Sequence, residues 1–403
     1  MSDWPKRSFT RSANLLAPNI AALYAVILGV VSVVHLPRTE QEFRREVQAY
    51  LAETSDGRNP WQYFRDRTGP TADLYRQLGN RGWISVSWPV SDGGAGRAAD
   101  FEYALWDEMA YARAARPPIA AGMVARSIIE HGSQRQKDWL LPGIAEGSLS
   151  FALGYSEPEA GSDLTGLKTR ARREDGCYIV TGEKRWTSDA HHAQFLWLLC
   201  RTGTIESRSR GLTLLVVPMS SPGIEVFPIE TLDGHRLNEV RLTDVIVPIE
   251  NRIGEEGEAW AIIQAALTRE RHLQLLPGRL RRDMDELNDW AAKSGYGDRE
   301  DVKVRLSVLA SWVDAVAATA DAIVACTIAN QDAGLLAARQ KIVGTWLVQA
   351  ISRLPFDVGD TRQLVIGEPF EFMWRESILE SIAGGTSQVM AGMVARRALG
   401  LGS

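Results

Sequence analysis

The chain runs to 403 residues, with 45 Lys and Arg against 50 Asp and Glu and a formal net charge of −5. That length can bury more than one core, and the acidic balance, with no basic stripe to meet phosphates, excludes nucleic acid as a partner. Cys177, Cys200 and Cys326 are far apart, odd in number and set in apolar runs, which argues against a disulfide framework or a metal knuckle and for a reducing cytoplasm.

Lys6, Arg7 and Arg11 precede an apolar stretch, IAALYAVILGVVSVV (20–34), with the basic and hydrophobic regions of a signal peptide but no small-x-small cleavage site. It is also shorter than the roughly 20 apolar residues of a membrane span. Three readings stand: a membrane-associating helix, a buried extra helix, or a translation start set upstream of the true one. From 39 to 148, FRREVQAYLAE, TADLYRQLGNRGW, DFEYALWDEMAYA and RQKDWLLPGIAEG place apolar residues three and four apart, which predicts a helical first domain. The Pro- and Gly-rich run GWISVSWPVSDGGAG (82–96) reads as a tight loop inside it.

At 149 the period changes. FALGYS is a short apolar run broken by Pro158, Gly161 and Ser162, the composition of a small-residue turn leaving a strand. LKTRARRE and CYIVTGEKRWTS predict strands around a Thr181-Gly182 turn, with Trp186, Thr187 and Ser188 on a strand beside that loop. On a strand the adjacent His191 and His192 face opposite ways, and the six histidines offer no metal-ligand spacing. FLWLLCR, GLTLLVVPM, GIEVFPIE and VRLTDVIVP complete a β-domain over 149–256. Long helical patterns return over 257–403, interrupted at 294–297 and 354–369. The expected fold is mainly α with a central β-domain, and 1–38 stand apart as an atypical extension.

The loop YSEPEAGSD and the segment KRWTS resemble the (S/T)EPxAGSD loop and KxWI(T/S)N strand of the acyl-CoA dehydrogenase family, with Thr187 where the family usually has an apolar residue. GWISVSWPVSDGGAG is similar to the family's GWxGxxWPxxxGGxG, and the resemblance covers nearly all of 39–403. It implies a helical N-domain (39–148), a middle β-barrel-like domain (149–256) and a C-terminal four-helix bundle (257–403). It also implies FAD lying against Ser156, Trp186 and Ser188, with the indole of Trp186 on the flavin ring, and CoA meeting Ser162. Thr386 and Gln388 match residues that contact FAD near its adenine end or pyrophosphate. Because family-like sequence begins at about Thr39, the buried-helix and upstream-start readings of the amino terminus are favoured.

The reaction implied is α,β-dehydrogenation of an acyl-CoA thioester to the 2-enoyl-CoA. A carboxylate takes the α-proton, the β-hydrogen leaves as hydride to flavin N5, and electron-transfer flavoprotein accepts the electrons. The common base position, the Glu of (Y/A)EGT, is Gly384 here, which holds no proton; its backbone N–H matches the group that polarises the thioester carbonyl. Glu270, followed by the supporting Arg271, matches an alternative base position on the first long helix of the C-terminal domain. Its neighbours three and four residues away, Ala266, Leu267, Leu273 and Gln274, offer no cation, the setting that raises a carboxylate toward the range of a general base. Glu376 and Glu380, one turn apart, read as a solvated face.

Two signatures of homotetrameric members, RxxFG and QxxGGxG(Y/F), are replaced by DWAAKSGYGDREDVKVRL and FDVGDTRQLVIGEPFEF. That departure resembles the α2β2 enzymes of actinobacteria that act on steroid side chains, in which two unlike subunits share each flavin site. A homo-oligomer whose adenosine contacts come from residues such as Arg299 or Arg305, a non-catalytic or FAD-poor partner subunit, a membrane-associated interaction protein and an acyl-CoA oxidase are the other readings.

Overall fold

Thr39 and Glu42 open the first helix, α1 (Glu40–Thr54), with a reciprocal cap: the Glu42 amide donates to Thr39 Oγ1 at 3.2 Å and the Thr39 amide to Glu42 Oε2 at 3.1 Å. The structure, a computed structural model, describes residues 36–54 and 70–401, with the backbone alone at 70, 268–272 and 274. The stretch 20–34, and with it the choice among its three readings, lies outside the described residues. Arg38–Ser403 forms one unit and Met1–Pro37 another.

One stripe of α1, Phe43, Val47 and Tyr50, is buried. Phe43 meets Trp83 edge-on at 5.5 Å and Phe101 of α3 (Ala99–Tyr111) at 5.4 Å. Between α2 (Pro70–Asn80) and α3, the loop 82–96 folds back over its own buried Trp83 and Trp88. Gly94 is required there, since a Cβ would lie 2.2 Å from the Trp88 carbonyl oxygen. A π-helical turn, Ala120–Val124, runs into α4 (Ala125–His131), and Ser133 and Gln136 make a capping box at the start of α5 (Gln134–Ala145).

Strands then replace helices, as expected. They are β1 (Phe151–Gly154), β2 (Arg170–Glu174), β3 (Cys177–Lys184), β4 (Phe195–Arg201), β5 (Leu212–Pro218), β6 (Ile224–Glu230), β7 (Arg236–Pro248) and β8 (Arg252–Ile253). They form one sheet in the order β6-β7-β3-β2-β4-β5-β8, with β1 parallel to β4. Leu196, Leu198, Leu215, Val217, Val240 and Val245 fill its core. The hairpin turn between β2 and β3 is Asp175-Gly176, both at positive φ (46° and 77°), and not Thr181-Gly182. The latter pair lies within β3, at a register irregularity against β7. Gly182 there accommodates Thr169, whose Oγ1 would lie 2.4 Å from an added Cβ.

The remaining chain is helical: α6 (Ala259–Gln274), α7 (Pro277–Ser294), α8 (Glu300–Ile328), α9 (Gly334–Asp357), α10 (Pro369–Glu380) and α11 (Ser387–Leu399). Leu280, Leu287, Trp290, Leu309, Leu347 and Phe370 pack as their common core. By length and composition α8 could span a membrane; its Leu309, Val313 and Val316 serve the bundle core. The Gly278 amide donates to Asp107 Oδ1 at 2.6 Å, and this close crossing of α7 over α3 ties the first helices to the last.

Candidate active site

The loop after β1 is built rigidly from beneath. Glu157, 6% exposed, makes a two-way backbone bridge with Ala160. Its carboxylate accepts from the Lys168 amide at 2.6 Å, the Thr169 amide at 2.9 Å and Lys184 Nζ at 2.8 Å. Lys184, the last residue of β3, is fully buried and also donates to the Tyr155 carbonyl at 3.2 Å. Burial pushes the Glu157 carboxyl up, but the Lys184 ammonium and the Lys168 N–H outweigh it and hold the group below its ordinary value. Ser156 is half-buried and Ser162 is exposed at the rim of the loop. Asp163 caps the turn Leu164–Gly166 and pairs with Arg208 at 2.6 Å.

Trp186 does not lie on a strand. β3 ends at Lys184, and Trp186 sits in the following bend at φ 62°, the residue 51% exposed and the Arg185 guanidinium 5.0 Å from the ring centre. The bend is clamped by Asn238 of β7, which is fully buried. The Thr187 amide donates to the Asn238 carbonyl at 2.9 Å, and Asn238 Nδ2 donates to the Thr187 carbonyl at 2.9 Å. The bend also joins the loop, since the Arg185 amide donates to the Ser156 carbonyl at 2.8 Å. Ser156 is thereby tied to the bend that carries Trp186 and Ser188. His191 and His192 belong to the turn that follows, not to a strand, and their rings lie 3.9 Å apart instead of facing opposite ways. His191 Nδ1 is 3.1 Å from Asn238 Nδ2. Burial, with His192 and Arg236 nearby, holds the imidazole below its ordinary value, which suits an Nδ1 that accepts. A cavity of about 280 Å³ beside this turn is lined by Tyr75, Pro118, Ile119, Ser150, Asp189 and His192.

Helix α6 packs against β5 of the sheet, and Gly384 lies in the loop between α10 and α11. Glu270 and Arg271 lie in the last turns of α6, and their side chains are outside the described residues. The π turn Ala120–Val124 packs on α6, and the Tyr155 hydroxyl reaches Met123 Sδ at 3.4 Å, so this turn lies between the loop and the helix of Glu270. Gly384 has φ 67° and Gly385 φ 97°, and among the described residues the amides of Gly384, Gly385 and Thr386 have no acceptor. Thr386 caps α11 through its hydroxyl, which accepts from the Val389 amide at 3.1 Å, and Gln388 is exposed one residue into that helix. The end of α6 and the Gly384 loop meet the same stretch of α9. Gln340 Nε2 donates to the Leu275 carbonyl at 3.1 Å, and Thr345 Oγ1 to the Glu380 carbonyl at 3.1 Å.

Glu376 and Glu380 are not a solvated face; they are 3% and 2% exposed. Arg279 donates to Glu380 Oε1 at 2.8 Å and to Glu376 Oε2 at 2.9 Å. Arg116 donates to Glu380 Oε1 at 2.6 Å and to Glu376 Oε1 at 3.0 Å. Lys341, fully buried, stands 3.6 Å from Glu380 Oε2, and Arg113 pairs with Asp283 at 2.7 Å, 3.6 Å from Arg279 Nε on its other side. Burial pulls the Arg279 guanidinium down, but Glu376, Glu380 and Asp283 outweigh it and hold it above its ordinary value. An i,i+4 carboxylate pair alone does not reveal this cluster, because its cations come from segments far away in the chain. Asn238, Glu157 and Lys184 were equally missed as structural partners; the period-2 alternation that places Asn238 and Lys184 inward is the one signal they carry. Arg299 pairs with Asp301 at 2.7 Å and Arg305 with Asp357 at 3.5 Å, all exposed.

Comparison with known proteins gives a consistent result. Residues 37–148 match the model for the acyl-CoA dehydrogenase N-terminal domain, and residues 152–245 match that for the middle domain. The chain is 32% identical over 388 residues to acyl-CoA dehydrogenase FadE26 of Mycobacterium tuberculosis, covering 90% of this chain and 97% of that protein. It is 30% identical over 392 residues to FadE29 of the same organism, covering 91% and 98%. Among solved structures it is similar to the Tcur3481-Tcur3483 steroid ACAD, with TM-score 0.84 and 28% identity over 92% of this chain and 100% of that one. It is also similar to the ChsE4-ChsE5 complex of Mycobacterium tuberculosis, with TM-score 0.78 and 29% identity over 93% and 100%. With the loop, the clamped indole and the order of helices and strands, these likenesses make the chain a member of the acyl-CoA dehydrogenase family, an oxidoreductase.

Proposed function

We propose that this chain dehydrogenates an acyl-CoA thioester at its α,β bond, with Glu270 as the base, Arg271 supporting it and the Gly384 N–H polarising the thioester carbonyl. The observation that carries the reading is the Trp186 bend. A left-handed non-glycine residue stores backbone strain, and a half-exposed indole leaves apolar surface in water. Asn238 sustains both, which has a purpose if a planar ligand covers the ring. FAD fits the residues present: Ser156, Trp186 and Ser188 would hold its ring, while Thr386 and Gln388 at the start of α11 would meet its adenine end or pyrophosphate. When bound, FAD supplies the hydride acceptor. Ser162, at the exposed rim, would meet CoA. Glu270 takes the α-proton while the carbonyl oxygen, gaining charge, is met by the free Gly384 amide.

A bulky acyl group such as a steroid side chain is the proposed substrate class, supported by the likeness to the Tcur3481-Tcur3483 steroid ACAD. An unlike second subunit is the proposed partner, supported by the absent arginine and glycine-pair signatures and by the likeness to the ChsE4-ChsE5 complex; electron-transfer flavoprotein is the proposed acceptor. A reducing cytoplasm suits its free thiols. The missing signatures also favour a second reading, in which this is the non-catalytic or FAD-poor subunit of such a pair.

Co-expression with a neighbouring family gene separates the two. A yellow complex that acyl-CoA bleaches, and a Glu270→Gln complex that stays yellow and is not bleached, support the catalytic reading. Bleaching undiminished by Glu270→Gln refutes it.

A further inference from the structure

The Glu376–Glu380 cluster has no part in the site as the family resemblance describes it. It is more elaborate than stability requires, because a buried ion cluster is often no better for stability than apolar packing of the same volume. Its placement is specific. Glu380 is the last residue of α10, and Gly384 follows one turn later. The Ile382 and Ala383 amides both return to the Leu379 carbonyl at 2.9 Å, so the path from Glu380 to Gly384 is a tight turn with little freedom. The cations that grip Glu380 come from three directions. Arg116 belongs to the segment just before the π turn that packs on α6, Arg279 lies at the start of α7 just after α6, and Lys341 lies on α9 between the anchors of the Leu275 and Glu380 carbonyls. Three segments that border α6 and the Gly384 loop thus each bring one basic side chain to the same carboxylate.

Resting on the dehydrogenase reading above, we propose that Glu380, held by Arg279 and Arg116, is a positioning residue that sets where the Gly384 N–H meets the substrate carbonyl. The α-C–H bond breaks, the proton passes to the Glu270 carboxylate and the electron pair moves onto the carbonyl oxygen. The Gly384 amide stabilises that oxygen only at hydrogen-bond distance, and donor strength falls steeply with misalignment. With Glu380 neutral, Arg279 and Arg116 share Glu376 alone of the two glutamates and Lys341 loses the carboxylate it stands beside, so the cluster repacks and the turn carrying Gly384 moves with it.

The test uses the 3-thia analogue of an acyl-CoA that the holoenzyme oxidises. Its α-proton is acidic, but sulfur at the β position leaves no hydride to give, and its ionisation is read by long-wavelength charge-transfer absorbance against bound flavin. Glu380→Gln and Arg279→Lys should keep flavin content and KM near wild type, lower kcat about tenfold, and move the ionisation midpoint up by about one pH unit. Arg116→Lys, at a guanidinium about a quarter exposed, disturbs packing least and should shift the midpoint the same way by less, even where the other two fail to fold. Variants that ionise the analogue at the wild-type pH while melting earlier would overturn this inference alone. A wild type that oxidises no acyl-CoA, or binds the analogue without ionising it, would overturn the dehydrogenase reading and this inference with it.

Discussion

Replacing Lys184 by Met tests the foundation of the flavin-side loop. The substitution removes the 2.8 Å bridge to Glu157 and the 3.2 Å bond to the Tyr155 carbonyl, where the two side chains are 0% and 7% exposed. Removing one partner of a buried pair costs about 3–5 kcal/mol, because the other charge is left uncompensated. Glu157 keeps its two backbone donors, so the expected loss is at the lower end, about 3 kcal/mol. Glu157→Gln added to Lys184→Met removes the stranded charge at the expense of one acceptor, and the double variant should recover about 1–2 kcal/mol. Hydrogen exchange at the Lys168 and Thr169 amides measures the local opening free energy directly, without assuming that the whole chain unfolds in one step. A Lys184→Met loss below about 1 kcal/mol, or a double variant no more stable than the single one, would refute the reasoning that a stranded charge dominates. The acid limb gives an independent check. Because the folded-state Glu157 value is depressed, its contribution is complete above the ordinary 4.5 and is lost as pH falls through the folded value. Without Lys184 the depression shrinks, since burial is then opposed only by the Lys168 and Thr169 donors, and the slope from this group flattens.

Asn238→Leu, nearly isosteric, breaks the clamp on Thr187 and should cost about 1–3 kcal/mol, with weaker flavin retention read by gel filtration at low free FAD. Trp186→Gly relaxes the bend at φ 62° and should stabilise the flavin-free chain by about 1 kcal/mol while lowering FAD affinity; a less stable variant contradicts the strain argument. His191 is held below its ordinary 6.5 by burial, His192 and Arg236, so between that value and the folded-state one the unfolded chain binds more protons. Stability should fall as pH drops below 6.5 and be indifferent to this group above it, and His191→Gln should flatten that limb of the melting profile.

The order of helices and strands was legible because periods of 3.6 and 2 are written in single residues, and the loop around Ser156 was legible because its small residues are contiguous. The Trp186 bend was not. Trp-Thr-Ser has strand composition and no glycine, and its positive φ is imposed by Asn238 on another strand. Asp175-Gly176 was the stronger turn signal, at the standard pair for a hairpin, and Thr181-Gly182 competed with it only because Gly182 serves a close approach to Thr169. Glu376 and Glu380 were misjudged for a related reason. Nothing within a helical turn of either carboxylate reveals that Arg116 and Arg279 reach them.

Those distant partners have a consequence for how the chain is made. Arg116 and Glu380 are 264 residues apart. At roughly 5–20 residues per second, the guanidinium waits about 13–53 s on the ribosome before its carboxylate exists. Arg279 has 101 residues to wait. A chain that stops short of Pro369 therefore leaves both arginines without their two shared glutamates and Lys341 without Glu380, in places that the finished fold largely buries. Such a fragment has every physical reason to stay open and be degraded, so the last helices act as a completion check on synthesis.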